Sequence, residues 1–176
     1  MTRKLLSYFL FLGTLMFLIT GCSNEEEVKE VVPTVEPAQD HGNHTYNEKN
    51  GDLRELTTSV DTLPIFLKDK PEQMQIIYSA AAQHQELLEY IPCYCGCAES
   101  GNHQDAYDCF VYANKENGEV VWDDHGTRCG VCLETAAESI LQYKDGKSMM
   151  EIREYIDEKY KEGFSEPTPT KMPEGV

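Results

Sequence analysis

The stretch Cys129-Gly130-Val131-Cys132-Leu133-Glu134-Thr135-Ala136-Ala137-Glu138-Ser139-Ile140-Leu141 decides how this chain is read. Leu133, Ala136, Ala137, Ile140 and Leu141 recur at i, i+3, i+4, i+7 and i+8, the spacing of one apolar helix stripe. Gly146 supplies the stop. Cys129 and Cys132 stand at the front of that helix. There the positive end of the helix dipole favours thiolate over thiol. The two-residue gap lets both sulfurs face one ion, and Gly130 permits the tight turn.

Working outward towards the C-terminus, Ser148 and Glu151 form a capping box. Ile152, Tyr155, Ile156 and Tyr160 then give a last helix its apolar face, closed by Gly163. Towards the N-terminus, Pro71 suits a first helical position, with Glu72 and Gln73 in the first turn. Met74, Ile77, Tyr78, Ala81 and Leu88 keep helical spacing up to Pro92, which ends the helix. Residues 105–122 have two readings. Phe110-Val111-Tyr112 and Val120-Val121-Trp122 flank Asn117-Gly118, which suggests a hairpin, while a short helix from Asp105 through Tyr112 competes with it. The pattern predicts a mainly α fold: one small helical domain over residues 61–163, with a Cys-rich loop region and a short β-hairpin as one reading of its middle. A core this modest gains from covalent or metal staples.

The chain starts with Arg3 and Lys4, followed by an almost wholly apolar run from Leu5 to Ile19, the pattern of a signal segment. It ends in Ile19-Thr20-Gly21-Cys22, which resembles a bacterial lipobox. That resemblance implies a signal peptide over 1–21 and a lipid on Cys22. Residues 22–60 are polar and acidic, with Glu25-Glu26-Glu27, and read as a disordered tether. His41 and His44 read there as solvated linker histidines. Residues 164–176, with Pro167, Pro169 and Pro173, read as a disordered tail. Net charge is −16, and loss of Arg3 and Lys4 with the signal makes it more negative by two. That excludes nucleic acid as a natural partner and leaves lipid to do the anchoring. The expected location is the outer face of the plasma membrane, where disulfides are permitted.

Six of the 7 cysteines remain beyond Cys22: Cys93, Cys95, Cys97, Cys109, Cys129 and Cys132. His103 and His125 share their window. Six thiolates and two imidazoles make enough ligands for two tetrahedral zinc sites, and closely spaced C-x-C units suit copper(I). Three disulfides are the rival reading. Bonds among Cys93, Cys95 and Cys97 would be strained, but each can find a partner among the other three thiols. Thiol–disulfide exchange at Cys129 and Cys132 is the third. Covalent haem is excluded at that pair, because Leu133 and not histidine follows Cys132. His84 reads as a surface or partly packed residue outside the cluster. Asp123 and Asp124 read as acceptors supporting His125, or as turn residues.

Pro92-Cys93-Tyr94-Cys95-Gly96-Cys97 resembles the motif of PCYCGC lipoproteins of Gram-positive, largely spore-forming bacteria. Leu63-Pro64, Phe66-Leu67, Cys109-Phe110, Val121-Trp122-Asp123, His125-Gly126, Cys129 and Cys132 match as well. So do Glu151-Ile152-Arg153, Ile156-Asp157 and Tyr160. The resemblance covers nearly all of the mature domain and implies no particular chemistry. The expected function therefore rests on the ligands: a non-enzymatic, membrane-tethered lipoprotein binding copper(I) or zinc through its Cys/His cluster. The alternatives are a disulfide-stapled interaction protein and an extracytoplasmic thiol–disulfide oxidoreductase.

Overall fold

The structure, a computed structural model, describes residues 44–174. The expected signal peptide, Cys22, His41 and most of the expected tether lie outside the described residues. None of the described helices is long and apolar enough to cross a membrane.

The fold is not mainly α. Among the described residues, five α-helices pack with a four-stranded antiparallel sheet in the order β1-β2-β4-β3. Strands β1 (His44–Tyr46) and β2 (Leu53–Thr57) come from the segment expected to be a tether. They turn through Asn50-Gly51, where Gly51 takes φ 75°, a left-handed conformation that glycine adopts at no steric cost. Hydrophobic alternation misses β2 because its buried side chains are polar. The Glu55 carboxylate accepts the backbone N–H groups of Ile65 (2.6 Å) and Phe66 (3.3 Å). Thr57 Oγ1 accepts the indole N–H of Trp122 at 2.8 Å. These hydrogen bonds, rather than apolar contact, bring the strand into the folded body, whose described part therefore starts well before residue 61.

Both readings of the middle segment are partly right. Tyr107–Cys109 make one 3-10 turn, and β3 (Val111–Asn114) then pairs with β4 (Val120–Asp123) as a hairpin. A bulge between Val111 and Ala113 interrupts their register. In the other direction β4 sets Trp122 opposite Glu55 of β2.

Helix α1 (Glu72–Gln83) ends earlier than Pro92 would require. At His84 the ring Nδ1 engages the Ala80 carbonyl at 2.7 Å, while the His84 N–H turns to Ala81. The side chain thus takes the carbonyl that the next helical N–H would use, and a separate turn, α2 (Gln85–Leu88), follows. A further single turn, α3 (Ala98–Gly101), follows the cysteine run.

Helix α4 (Gly130–Lys144) forms where its periodicity placed it, but rotated by one residue. Its buried side is Cys132, Thr135, Ala136, Ser139 and Ile140, whereas Leu141 is 62% exposed. The rotation turns Cys132 inward. Helix α5 (Met149–Lys159) carries the full capping box between Ser148 and Glu151. It buries Ile152 and Ile156, followed by Tyr160 just past its end, while Tyr155 stays at the surface. Tyr78, Phe110 and Trp122 form the aromatic centre of the core. Tyr78 meets Phe110 edge-on at 4.9 Å between ring centres.

The C-terminal segment, expected to be disordered, lies along the cysteine loop. Cys93 N–H donates to Thr168 Oγ1 at 2.8 Å and Thr168 N–H returns to the Cys93 carbonyl at 3.2 Å. Buried Arg153 of α5 binds the Tyr90 carbonyl, Thr170 Oγ1 and the Lys171 carbonyl through one nitrogen. Residues 168–171 are thereby strapped to the loop that carries Cys93.

Two outcomes check this account. Thr57→Val leaves the Trp122 N–H buried without an acceptor and lowers unfolding free energy by about 1–3 kcal/mol, read from urea denaturation. A chain starting at residue 61 lacks the polar strand and loses cooperative unfolding altogether, read from thermal melts followed by circular dichroism.

Candidate metal centre

Each ligand candidate is held by a different local device. Pro92 ends the preceding turns and starts the loop of Cys93 and Cys95. Gly96 has φ 76°, and a Cβ there would collide with Ser165 of the strap, so this turn accepts only glycine without strain. Cys109 ends the 3-10 turn ahead of β3. His125 opens a 3-10 turn just after β4, its N–H held by Asp123 at 3.0 Å. Cys129 is the N-cap of α4 and Cys132 lies in its first turn.

These devices converge on one point. Cys95, His125, Cys129 and Cys132 offer donor atoms all within 4.8 Å of one another. Cys93, Cys109 and Cys132 do the same. All six thiols are free, and the Sγ atoms of Cys93 and Cys95 stand 3.1 Å apart, as do those of Cys109 and Cys132. Cys93, Cys109 and Cys132 are buried, while Cys95 and Cys129 are partly open to solvent. Cysteine and histidine donors this close together can hold a metal ion.

Cys97 does not join either group. Its N–H donates to Cys95 Sγ at 3.2 Å and its own thiol turns to the Cys95 carbonyl at 3.7 Å, which leaves it at the rim. His103 reaches the cluster through Cys109, with Nδ1 3.7 Å from its sulfur. His44 is exposed in β1 and His84 bonds its own helix, so neither enters these groups.

The protons show how tightly the sulfurs are coupled. Hydrogen bonds from Cys109 and Cys132 pull Cys93 far below the usual thiol range. Those from Cys129 and Cys132 bring Cys95 down to about 4. Hydrogen bonding to Cys109, Cys129, Cys93 and Cys95 pushes Cys132 the other way, far up. Cys132 lowers Cys109, but Cys93 and burial outweigh this and raise it well above the usual range. Burial opposes a charge on His125, yet Cys129, Cys95 and Asp52 prevail and hold it at about 11. Burial and then the His125 charge depress His103 to about 4. The shifts favour charge on both sides of the His125–Cys95 contact, and a metal ion on Nε2 would compete with a proton there.

Asp52 is the residue the sequence reading missed. It is 1% exposed and its carboxylate lies 3.2 and 3.3 Å from His125 Nδ1. Holding that nitrogen leaves Nε2 facing Cys95 at 4.0 Å. Arg128 also donates to Asp52, and it reaches Asp124 at 3.1 Å. Arg54 donates to Asp123 at 3.0 Å. The acidic groups behind the cluster therefore have cations already. The signal that could have found Asp52 is the Asn50-Gly51 turn immediately before it.

Asp52→Asn keeps the volume but weakens the acceptor on His125. Metal affinity falls about 10–100-fold, read by competition against a chelator of known affinity.

A comparison with protein families places residues 11–173 in the family described as protein of unknown function with PCYCGC motif. No curated protein and no solved structure matches the chain.

Proposed function

Since the chain belongs to the PCYCGC-motif family, whose description carries no activity, we propose from the geometry of its Cys/His cluster that it binds a soft metal, and from its N-terminal sequence that it does so as a lipoprotein outside the plasma membrane. The observation that carries this reading is the convergence of Cys95, Cys129, Cys132 and His125 within 4.8 Å. Three sulfurs and one imidazole suit tetrahedral zinc, and a sulfur-rich set equally suits copper(I). The helix dipole of α4 favours thiolate at its N-terminus, and the Asp52 carboxylate on His125 Nδ1 orients the ring so that Nε2 is the nitrogen turned to the ion.

The lipobox-like Ile19-Thr20-Gly21-Cys22 supports anchoring through lipid on Cys22, and the acidic composition supports neither nucleic acid nor polybasic attachment. Binding, delivery or structural support by the ion is the role, and no bond-making chemistry is assigned to these residues. The six thiols stand free rather than paired, which supports the metal reading over three disulfides.

The full chain, purified without oxygen, is expected to retain zinc or copper by elemental analysis. At free metal 100-fold above the dissociation constant its unfolding free energy rises by about 2.7 kcal/mol. Cys129→Ser, which removes a donor of this set, reduces that rise. Metal-free protein containing three disulfides would overturn the proposal.

A further inference from the structure

Two donor groups meet at one sulfur. Cys132 belongs both to the set with Cys95, Cys129 and His125 and to the set with Cys93 and Cys109. From this geometry we infer that the cluster holds two metal ions bridged by the Cys132 thiolate. The inference rests on the metal-binding reading above and extends it from one ion to two.

A single tetrahedral ion takes four donors. Cys95, Cys129, Cys132 and His125 would satisfy it and leave Cys93 and Cys109 over. Both of these are nearly sealed from solvent, 4% and 1% exposed, and both converge on Cys132. A thiolate sulfur keeps further lone pairs after binding one ion, so it can bind a second. Two tetrahedra that share one corner need seven donors. The shared sulfur, three donors on the outer side and Cys93 with Cys109 on the inner side account for six.

The seventh is His103. Its Nδ1 stands 3.7 Å from Cys109 Sγ, on the inner side. Its Nε2 is buried without a hydrogen-bond partner and lies 4.0 Å from the Asp52 carboxylate. The His103 and His125 rings meet edge-on, 4.5 Å between centres. Asp52 therefore stands behind both imidazoles, within hydrogen-bond reach of His125 Nδ1 and 4.0 Å from His103 Nε2, while His125 Nε2 and His103 Nδ1 face the sulfurs of Cys95 and Cys109. Gly101 makes room for this pose, since a Cβ there would meet the His103 ring at 2.7 Å.

Charge selects the class of ion. Five ligating thiolates with two divalent cations keep one residual negative charge, whereas two monovalent cations would leave three. In a largely buried cluster the smaller imbalance is favoured. The ions are accordingly a divalent, tetrahedral pair of the zinc class.

The test uses the full chain, reduced and titrated anaerobically with zinc(II), then with cadmium-113 as a probe. Native mass spectrometry is expected to show two ions per chain. Cadmium NMR is expected to show two resonances, with the β-protons of Cys132 correlated to both. Cys93→Ser is expected to bind one ion, its remaining resonance still correlated to Cys129, with a metal-free melting profile like that of the parent. His103→Ala is expected to weaken the second ion and spare the first. One ion in the parent chain, unaffected by Cys93→Ser, overturns the two-ion cluster while leaving the single outer site standing. Two ions with Cys132 correlated to only one overturn the bridge. No ion at all overturns both readings.

Discussion

Cys132 sits in the first turn of α4, on the side of that helix that faces the interior. The rest of the centre depends on this placement. Ala136 and Ile140, one and two turns further on, pin the same side into the core. The position of the sulfur is therefore set by helix register rather than by a mobile loop. Around it, four independent chain segments each bring a donor: the loop after Pro92, the 3-10 turn at Cys109, the turn after β4 and the N-cap of α4. Rigid elements fix metal donors better than loops do, because few rotamers remain to be ordered on binding.

Buried polar groups behind the cluster serve the same end. Asp52, His103 and His125 are all sealed from solvent, a costly arrangement unless their charges and hydrogen bonds are matched. Arg128 answers Asp52, and Asp52 answers His125. Packed sulfurs share protons unequally: hydrogen bonds from their neighbours lower the Cys93 and Cys95 thiols, which favours negative charge there. Beside them, Cys129, Cys95 and Asp52 raise His125 against its burial. The cluster is thus electrostatically prepared for a positive guest.

The strap adds support on the other side. Tyr94 stacks on Tyr160 at 5.2 Å, and its hydroxyl binds Asp157, which Arg153 also holds. Thr168 pairs with the backbone of Cys93 in both directions. The cysteine loop, which has no regular structure of its own, is clamped between α5 and the C-terminal segment.

The sequence by itself determined the helices after residue 129 and the capping box at Ser148, offered the hairpin at Asn117-Gly118 as one of two readings, and named the cysteines and histidines that the fold brings together. Those signals are local: periodicity, turn chemistry and thiol spacing need no knowledge of distant partners. Tertiary structure decided what no local pattern carries. Strand β2 faces the core with Glu55 and Thr57, whose partners lie near residue 65 and at Trp122. Helix α4 buries Thr135 and Ser139 instead of Leu133 and Leu141, which turned the stripe by one residue and Cys132 with it. Asp52 came to His125 only through the pairing of β2 with β4. Cys97, indistinguishable in spacing from Cys95, was left at the rim by the turn at Gly96. In each case a hydrogen bond or packing contact between segments far apart in the chain outweighed the hydrophobicity of the residues themselves.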